Sequence, residues 1–137
     1  MLRSSWLLCW CVLLSALLAG CFPGYVRVSV ETAADLNQKQ PVYMLVRTLD
    51  RKAYLAESYG EVASKLVESD PSVLRKELLF PGTNRSLYVK KPKGALALYF
   101  LFTAPGGTWR LFLDAPLPLQ VKAELKGSRL VQDSTLF

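Results

Sequence analysis

The sequence has no histidine. That removes both the commonest general base near neutral pH and the commonest metal ligand. Its cysteines are Cys9, Cys11 and Cys21. Nothing beyond residue 21 can therefore form a disulfide or present a thiol nucleophile. Acid–base chemistry would fall on Asp, Glu, Lys or Tyr, yet the five Asp and six Glu stand singly, with no paired-carboxylate spacing. The sequence has no G-x-S-x-G elbow, and no glycine-rich phosphate loop follows a strand. Gly106-Gly107 sits in a hairpin-turn context instead. No internal repeat or low-complexity stretch occurs. These absences nominate no catalytic residue, no cofactor and no metal site, and the chain is not expected to be an enzyme.

What is present begins at the N-terminus. Arg3 supplies a positive start, and Trp6 to Ala19 is an apolar run too short to span a bilayer comfortably. It ends in Leu18-Ala19-Gly20-Cys21, which resembles the lipobox of bacterial lipoproteins. There the cysteine is lipidated on its thiol, freed of residues 1–20 and acylated again on its new amine. The small side chains of Ala19 and Gly20 give a peptidase access to the backbone, and the thiol is the soft nucleophile that takes the lipid. The same residues also fit an ordinary signal peptide with a chance cysteine, or an uncleaved anchor. For a lipoprotein, Phe22 in place of Asp points to the outer membrane, facing the periplasm. A triacylated Cys21 exceeds the two-chain threshold for stable anchoring, since each buried methylene contributes about 0.8 kcal/mol.

Trimming residues 1–20 leaves 117 of 137 residues, which is one domain. Residues 21–24 read as a lipidated tether, 25–130 as a β-sandwich and 131–137 as a frayed tail. Tyr25 to Glu31 alternates, with Val26, Val28 and Val30 on one face. Thr32 to Gln40 is a polar loop, and Val42 to Leu49 is a second strand. From Tyr54 to Glu68 the period changes. Tyr59, Val62, Ala63 and Leu66 share one helix face, Ser58 and Glu61 form a capping-box pattern, and Asp70-Pro71 ends the helix. Pro81-Gly82 turns into a short strand, Ser86 to Lys90.

Ala95 to Thr103, bounded by Gly94 and Pro105, suits a central strand that turns back into Trp109 to Leu113. Leu98 and Phe100 are expected in the core on opposite faces of it, with Trp109 also in the core. Leu119 to Leu125 alternates again, with Leu119, Val121, Ala123 and Leu125 inside. Six or more short strands between turns imply a mainly β fold: a two-sheet antiparallel sandwich with one inserted helix, and loops at both ends to carry recognition.

Basic residues outnumber acidic by 17 to 11, a net charge of +6 that becomes +5 without Arg3. The densest run is Lys90-Lys91-Pro92-Lys93, beside Tyr88. It fits an acidic partner or anionic head groups near the anchor. Pro92 and Gly94 mark a turn there and favour the alternative, a solvated turn that keeps a sheet edge soluble. A nucleic-acid partner is not expected.

Several of these pieces, in order, resemble the TssJ family, the outer-membrane lipoproteins of type VI secretion. They are Cys21 with a short tether and a valine-rich strand; Leu36-Asn37 with Pro41-Val42 and Val46-Arg47-Thr48-Leu49; Tyr54-Leu55 and Ser58-Tyr59; Leu79-Phe80-Pro81-Gly82; and the apolar strand leading to Trp109-Arg110. The resemblance implies a transthyretin-like sandwich that anchors a trans-envelope complex at the outer membrane. It also implies that the first inter-strand loop meets the periplasmic part of the inner-membrane protein TssM. On this chain that loop is Thr32 to Gln40, and Asp35, Leu36, Asn37 and Gln38 are its candidate contacts. Asp35 and Asn37 also read as plain turn formers. Other functions open to such a chain are a pilot lipoprotein of another secretion system and a tethered periplasmic enzyme or inhibitor.

Overall fold

The computed structural model describes residues 24–137. The expected signal segment 1–20, the lipidation site Cys21 and tether residues 22–23 lie outside the described residues. Eight strands follow: β1 (Tyr25–Thr32), β2 (Val42–Thr48), β3 (Val73–Leu79), β4 (Asn84–Lys90), β5 (Leu96–Leu101), β6 (Arg110–Leu113), β7 (Gln120–Lys126) and β8 (Arg129–Leu136). They form two four-stranded sheets, in the orders β4-β1-β7-β8 and β3-β2-β5-β6. This is the mainly β, two-sheet sandwich expected. One pairing departs from a purely antiparallel arrangement: β1 and β7 run parallel, Arg27 opposite Gln120 and Val30 opposite Ala123. A parallel pair needs a long crossover, and the whole second sheet is built between these two strands.

Alternation places the core. Val26, Val28 and Val30 of β1 are buried, as are Leu87 and Val89 of β4 and Val121, Ala123 and Leu125 of β7. They meet Val42, Met44 and Val46 of β2 and Leu96, Leu98 and Phe100 of β5 between the sheets. Every residue of β5 is buried, because both its faces are covered. Ala97, Tyr99 and Leu101 face the opposite way, into a second cluster with Leu45 and Val62. Leu98 and Phe100 thus share a face, as a period of two requires. Trp109 is only half-buried and bridges the two clusters. Leu119, expected inside, precedes β7 and stands half-exposed.

The second cluster is closed by two short helices where one was expected: α1 (Arg51–Ala56) and α2 (Tyr59–Ser64). Each has its own N-cap. Asp50 accepts from the Ala53 N–H at 2.7 Å, and Ser58 and Glu61 form the reciprocal capping box. Glu57 between them is extended, so the helical period breaks there. The predicted stripe of Tyr59, Val62, Ala63 and Leu66 does pack on the sheet. Six-residue helices are not stable alone; these depend on that packing.

Residues 131–137, expected to fray, instead belong largely to β8, which pairs with β7 from Lys126–Arg129 to Gln120–Leu136. Only Leu130 of β8 is buried, so main-chain hydrogen bonds hold this edge strand and leave no hydrophobic alternation to see. β3 gives an equally weak pattern. Val73 to Leu79 is half-buried at most positions, and it pairs only with β2.

The registers give the sandwich two distinct ends. At one lie Gly24, the start of β1, the ends of β4 and β8 and the turn into β5. The Lys91 N–H donates to the Gly24 carbonyl there at 2.8 Å. At the other lie the β1–β2 loop, the β3–β4 turn, the β5–β6 connection and the β7–β8 turn.

Candidate functional site

The β1–β2 loop is short and tied at every step. Thr32 closes β1 and is buried. Its hydroxyl donates to the Phe80 carbonyl (2.6 Å), with the Thr83 carbonyl 3.0 Å away sharing that proton, and the Thr83 N–H returns a bond to it at 3.0 Å. The Ala33 N–H donates to Leu125 O at 2.9 Å, and the Gly82 N–H to Ala33 O at 3.1 Å. Leu36 then plugs the sandwich end with no exposed surface.

Directly after it, Asn37, Gln38 and Lys39 all take positive φ, of 45°, 56° and 65°. Left-handed geometry costs an L-residue roughly 1–2 kcal/mol, less for Asn. Three in succession persist only where the surroundings over-determine them. Asn37 does this. Its N–H donates to Gly127 O at 2.7 Å, and its amide donates to Pro41 O and Thr103 Oγ1 at 3.2 Å. Its side-chain oxygen accepts from the Thr103 N–H at 3.0 Å. Asp35 Oδ1 accepts from the Gly127 N–H at 3.3 Å.

The four predicted contact residues therefore divide. Leu36 and Asn37 are buried and position the loop, whereas Asp35 and Gln38 are exposed. Lys39 and Gln40 extend the exposed tip. Beside it is an open depression of about 370 Å³ lined by Asp35, Gly106, Lys126, Gly127, Ser128 and Arg129. The β7–β8 turn thus adds Lys126 and Arg129 to the surface, where the sequence pattern shows no return strand after β7 to bring them beside the loop. Lys126-Gly127, followed by polar residues, was the available turn signal.

Two other features of the described residues bear on function. A shallow groove of about 560 Å³ on the outer face of the β4-β1-β7-β8 sheet is lined by polar side chains such as Arg27, Glu31, Lys122 and Glu124. Beneath α1, Arg47 is 5 % exposed. It makes two 2.7 Å hydrogen bonds to the Glu57 carboxylate, which also accepts from the Tyr99 hydroxyl at 3.1 Å. Burial, and secondarily the Glu57 charge, push the Tyr99 phenol well above its usual range. The cluster is satisfied internally and fastens the α1–α2 segment to the sheet. Among the described residues, no group of three or more Asp, Glu, His or Cys is placed to hold a metal ion. No helix of the described residues is long and apolar enough to cross a membrane.

Fold and site together define a class: a small two-sheet sandwich whose most constrained surface is a loop end. The chain belongs to the family described as IglE, N-terminal domain, whose model matches residues 43–125. The same fold occurs in the Serratia marcescens Lip protein, a membrane-bound component of the type VI secretion system, with TM-score 0.67 and 17 % identity over 82 % of this chain and 98 % of that one. It occurs in the type VI lipoprotein TssJ1 from Pseudomonas aeruginosa, with TM-score 0.61 and 17 % identity over 82 % and 96 %. A chain of the structure of the T6SS protein TssM C-terminal domain from EAEC also matches, with TM-score 0.67 and 14 % identity over 79 % and 96 %. At these identities the likeness is one of fold, and in fold the resemblance to TssJ holds. No curated protein sequence matches the chain.

Proposed function

We propose that this chain is a non-enzymatic assembly lipoprotein of a type VI secretion system. It is anchored in the outer membrane through lipid on Cys21, and it docks the periplasmic part of a TssM-like inner-membrane subunit with its β1–β2 loop. The observation that carries the reading is the placement of that loop. It lies at the sandwich end opposite Gly24, where the chain leads back to Cys21. Strands of seven or eight residues separate the two ends by roughly 25 Å. A lipid at one end leaves the loop facing away from the membrane, toward a partner that spans the periplasm. The left-handed Asn37–Lys39 turn supports the same reading, since backbone strain concentrates at recognition sites. The fold shared with Lip and TssJ1 supports the assignment to type VI secretion.

The exposed side chains Asp35 and Gln38 are the proposed contacts, joined by Lys39. Leu36 and Asn37 hold them in place. The test is co-purification from crosslinked membranes. Replacing Gln38 and Lys39 by Ser should abolish capture of the inner-membrane subunit and leave the thermal melt nearly unchanged. Capture at unchanged affinity would remove the loop from the interface. The anchor is tested apart from this: Cys21→Ser should leave an unprocessed or soluble chain, and normal outer-membrane fractionation of that variant would refute lipidation at Cys21.

A further inference from the structure

The end of the sandwich opposite the loop has a chemistry of its own. In β1 and β4, Tyr25 lies opposite Lys90, and Arg27 opposite Tyr88. Arg27 in turn faces Gln120 of β7, which faces Leu136 of β8. Partners in register share a face, so Tyr88, Arg27, Gln120 and Leu136 form one row across the outer side of all four strands. The Val26–Val89 pair between them points into the core. Tyr25, Tyr88 and Leu136 are 44 %, 54 % and 60 % exposed. Lys91 and Lys93 follow Lys90 in the turn after β4, where the Lys91 backbone N–H donates to the Gly24 carbonyl.

Along the segments of this corner the charge is mostly basic, with the Asp50 cap of α1 two residues beyond Thr48, whose hydroxyl bonds the Ala95 carbonyl. Over residues 24–27, 86–95, 114–120 and 134–137 the basic side chains are Arg27, Lys90, Lys91 and Lys93, and the one carboxylate side chain is Asp114. Asp114 is paired with Arg51. No ion pair engages the four cations among the described residues. The carboxylates of the same sheet face, Glu31 and Glu124, sit near the far end, Glu31 opposite Asn84.

Chain geometry fixes what this corner can meet. Cys21 precedes Gly24 by three residues, a reach of about 10 Å even fully extended. If Cys21 carries lipid, the corner is held against the head groups. Exposed tyrosines with clustered lysines suit that boundary, since the rings lie at head-group depth and ammonium groups meet anionic phosphate.

We propose that Tyr25, Tyr88, Lys90, Lys91 and Lys93 form a bilayer-contact corner that lies on anionic phospholipid of the anchoring leaflet and sets the orientation of the domain. The proposal rests on the lipoprotein reading of Cys21. The experiment is amine footprinting of the full processed chain mixed with lipid vesicles, read lysine by lysine. On vesicles of phosphatidylcholine with about one third phosphatidylglycerol, modification of Lys90, Lys91 and Lys93 should slow about fivefold or more relative to Lys39 and Lys126. That factor corresponds to the roughly 1 kcal/mol that one basic residue gains at an anionic surface. Pure phosphatidylcholine, or high salt, should abolish the difference.

Flotation with pure phosphatidylcholine vesicles reads the anchor alone. Flotation with uniform lysine modification on both vesicle types overturns the corner, leaves the anchor standing and transfers the basic turn to an acidic protein. Protection on anionic vesicles without flotation on neutral ones upholds the corner and removes the anchor. Neither flotation nor protection overturns both.

Discussion

Phe100 is fully buried between the sheets, among Met44, Leu98 and Phe102. Truncation there loses both transfer energy and packing, so Phe100→Ala should cost about 3–5 kcal/mol in a denaturant melt. A loss below about 1 kcal/mol would place the ring outside the core. Glu57 carries a different kind of risk. Its carboxylate satisfies Arg47, whose side chain is 6 % exposed, and it accepts from Tyr99. Glu57→Ala strands a buried guanidinium, and removing one partner of such a pair costs about 3–5 kcal/mol. Its partial exposure, 17 %, places the expected loss at the lower end. Thermal melts of the wild type and the variant check this. Such roles were legible only where residue type alone decides. An apolar Phe100 in an apolar run had to be core. Arg47, in an alternating strand, gave no sign that it would be buried. Leu36 and Asn37 sat in a polar stretch that read as surface, and only the tertiary bonds from Asn37 to Thr103 and Gly127 make them interior.

At the scale of elements, alternation and capping carried far. β1, β2, β4, β5 and β7 were readable because each buries a stripe of side chains, and β6 because Pro105-Gly106-Gly107 turns the apolar run of β5 back into it. β3 and β8 are edge strands that bury one side chain each, Leu79 and Leu130, with no alternating stripe, so their side chains hold little record of the pairing. The capping box at Ser58 was legible, but the break at Glu57 was not, because the pull that extends it comes from Arg47 in β2. The β1–β2 turn adds a strain the sequence does not display. Gln38 is exposed with φ 56°, and no hydrogen bond of its side chain fixes it. Glycine adopts that geometry without the Cβ clash but loses more backbone entropy on folding. The steric gain is the larger, so Gln38→Gly should raise stability by up to about 1 kcal/mol. The midpoint of a denaturant melt at constant slope reads it. A destabilised variant would mean the left-handed turn relaxes in solution.

On the scale of the whole molecule, two facts govern behaviour. The described domain contains no cysteine, so non-covalent interactions alone hold the sandwich closed. Melts of residues 22–137 with and without reductant should superimpose, and a large shift under reductant would contradict that account. The second fact is polarity. The strained loop with Gln38 and Lys39 crowns one end, and the lysine turn beside Gly24 lies at the other. They share no side-chain partner, and the rigid two-sheet core stands between them. Sites more than about 10 Å apart with no common partners act additively, within about 0.5 kcal/mol. A chain carrying Gln38→Ser and Lys39→Ser together with Lys90→Gln, Lys91→Gln and Lys93→Gln should therefore melt where the two separate variants predict. The tip changes alone should abolish subunit capture, with vesicle flotation intact. The turn changes alone should leave capture from detergent solution intact. A melt displaced from additivity by more than about 1 kcal/mol, or loss of capture in the turn variant, would show that the ends communicate through the core and that the polarity of the sandwich is not what separates anchoring from docking.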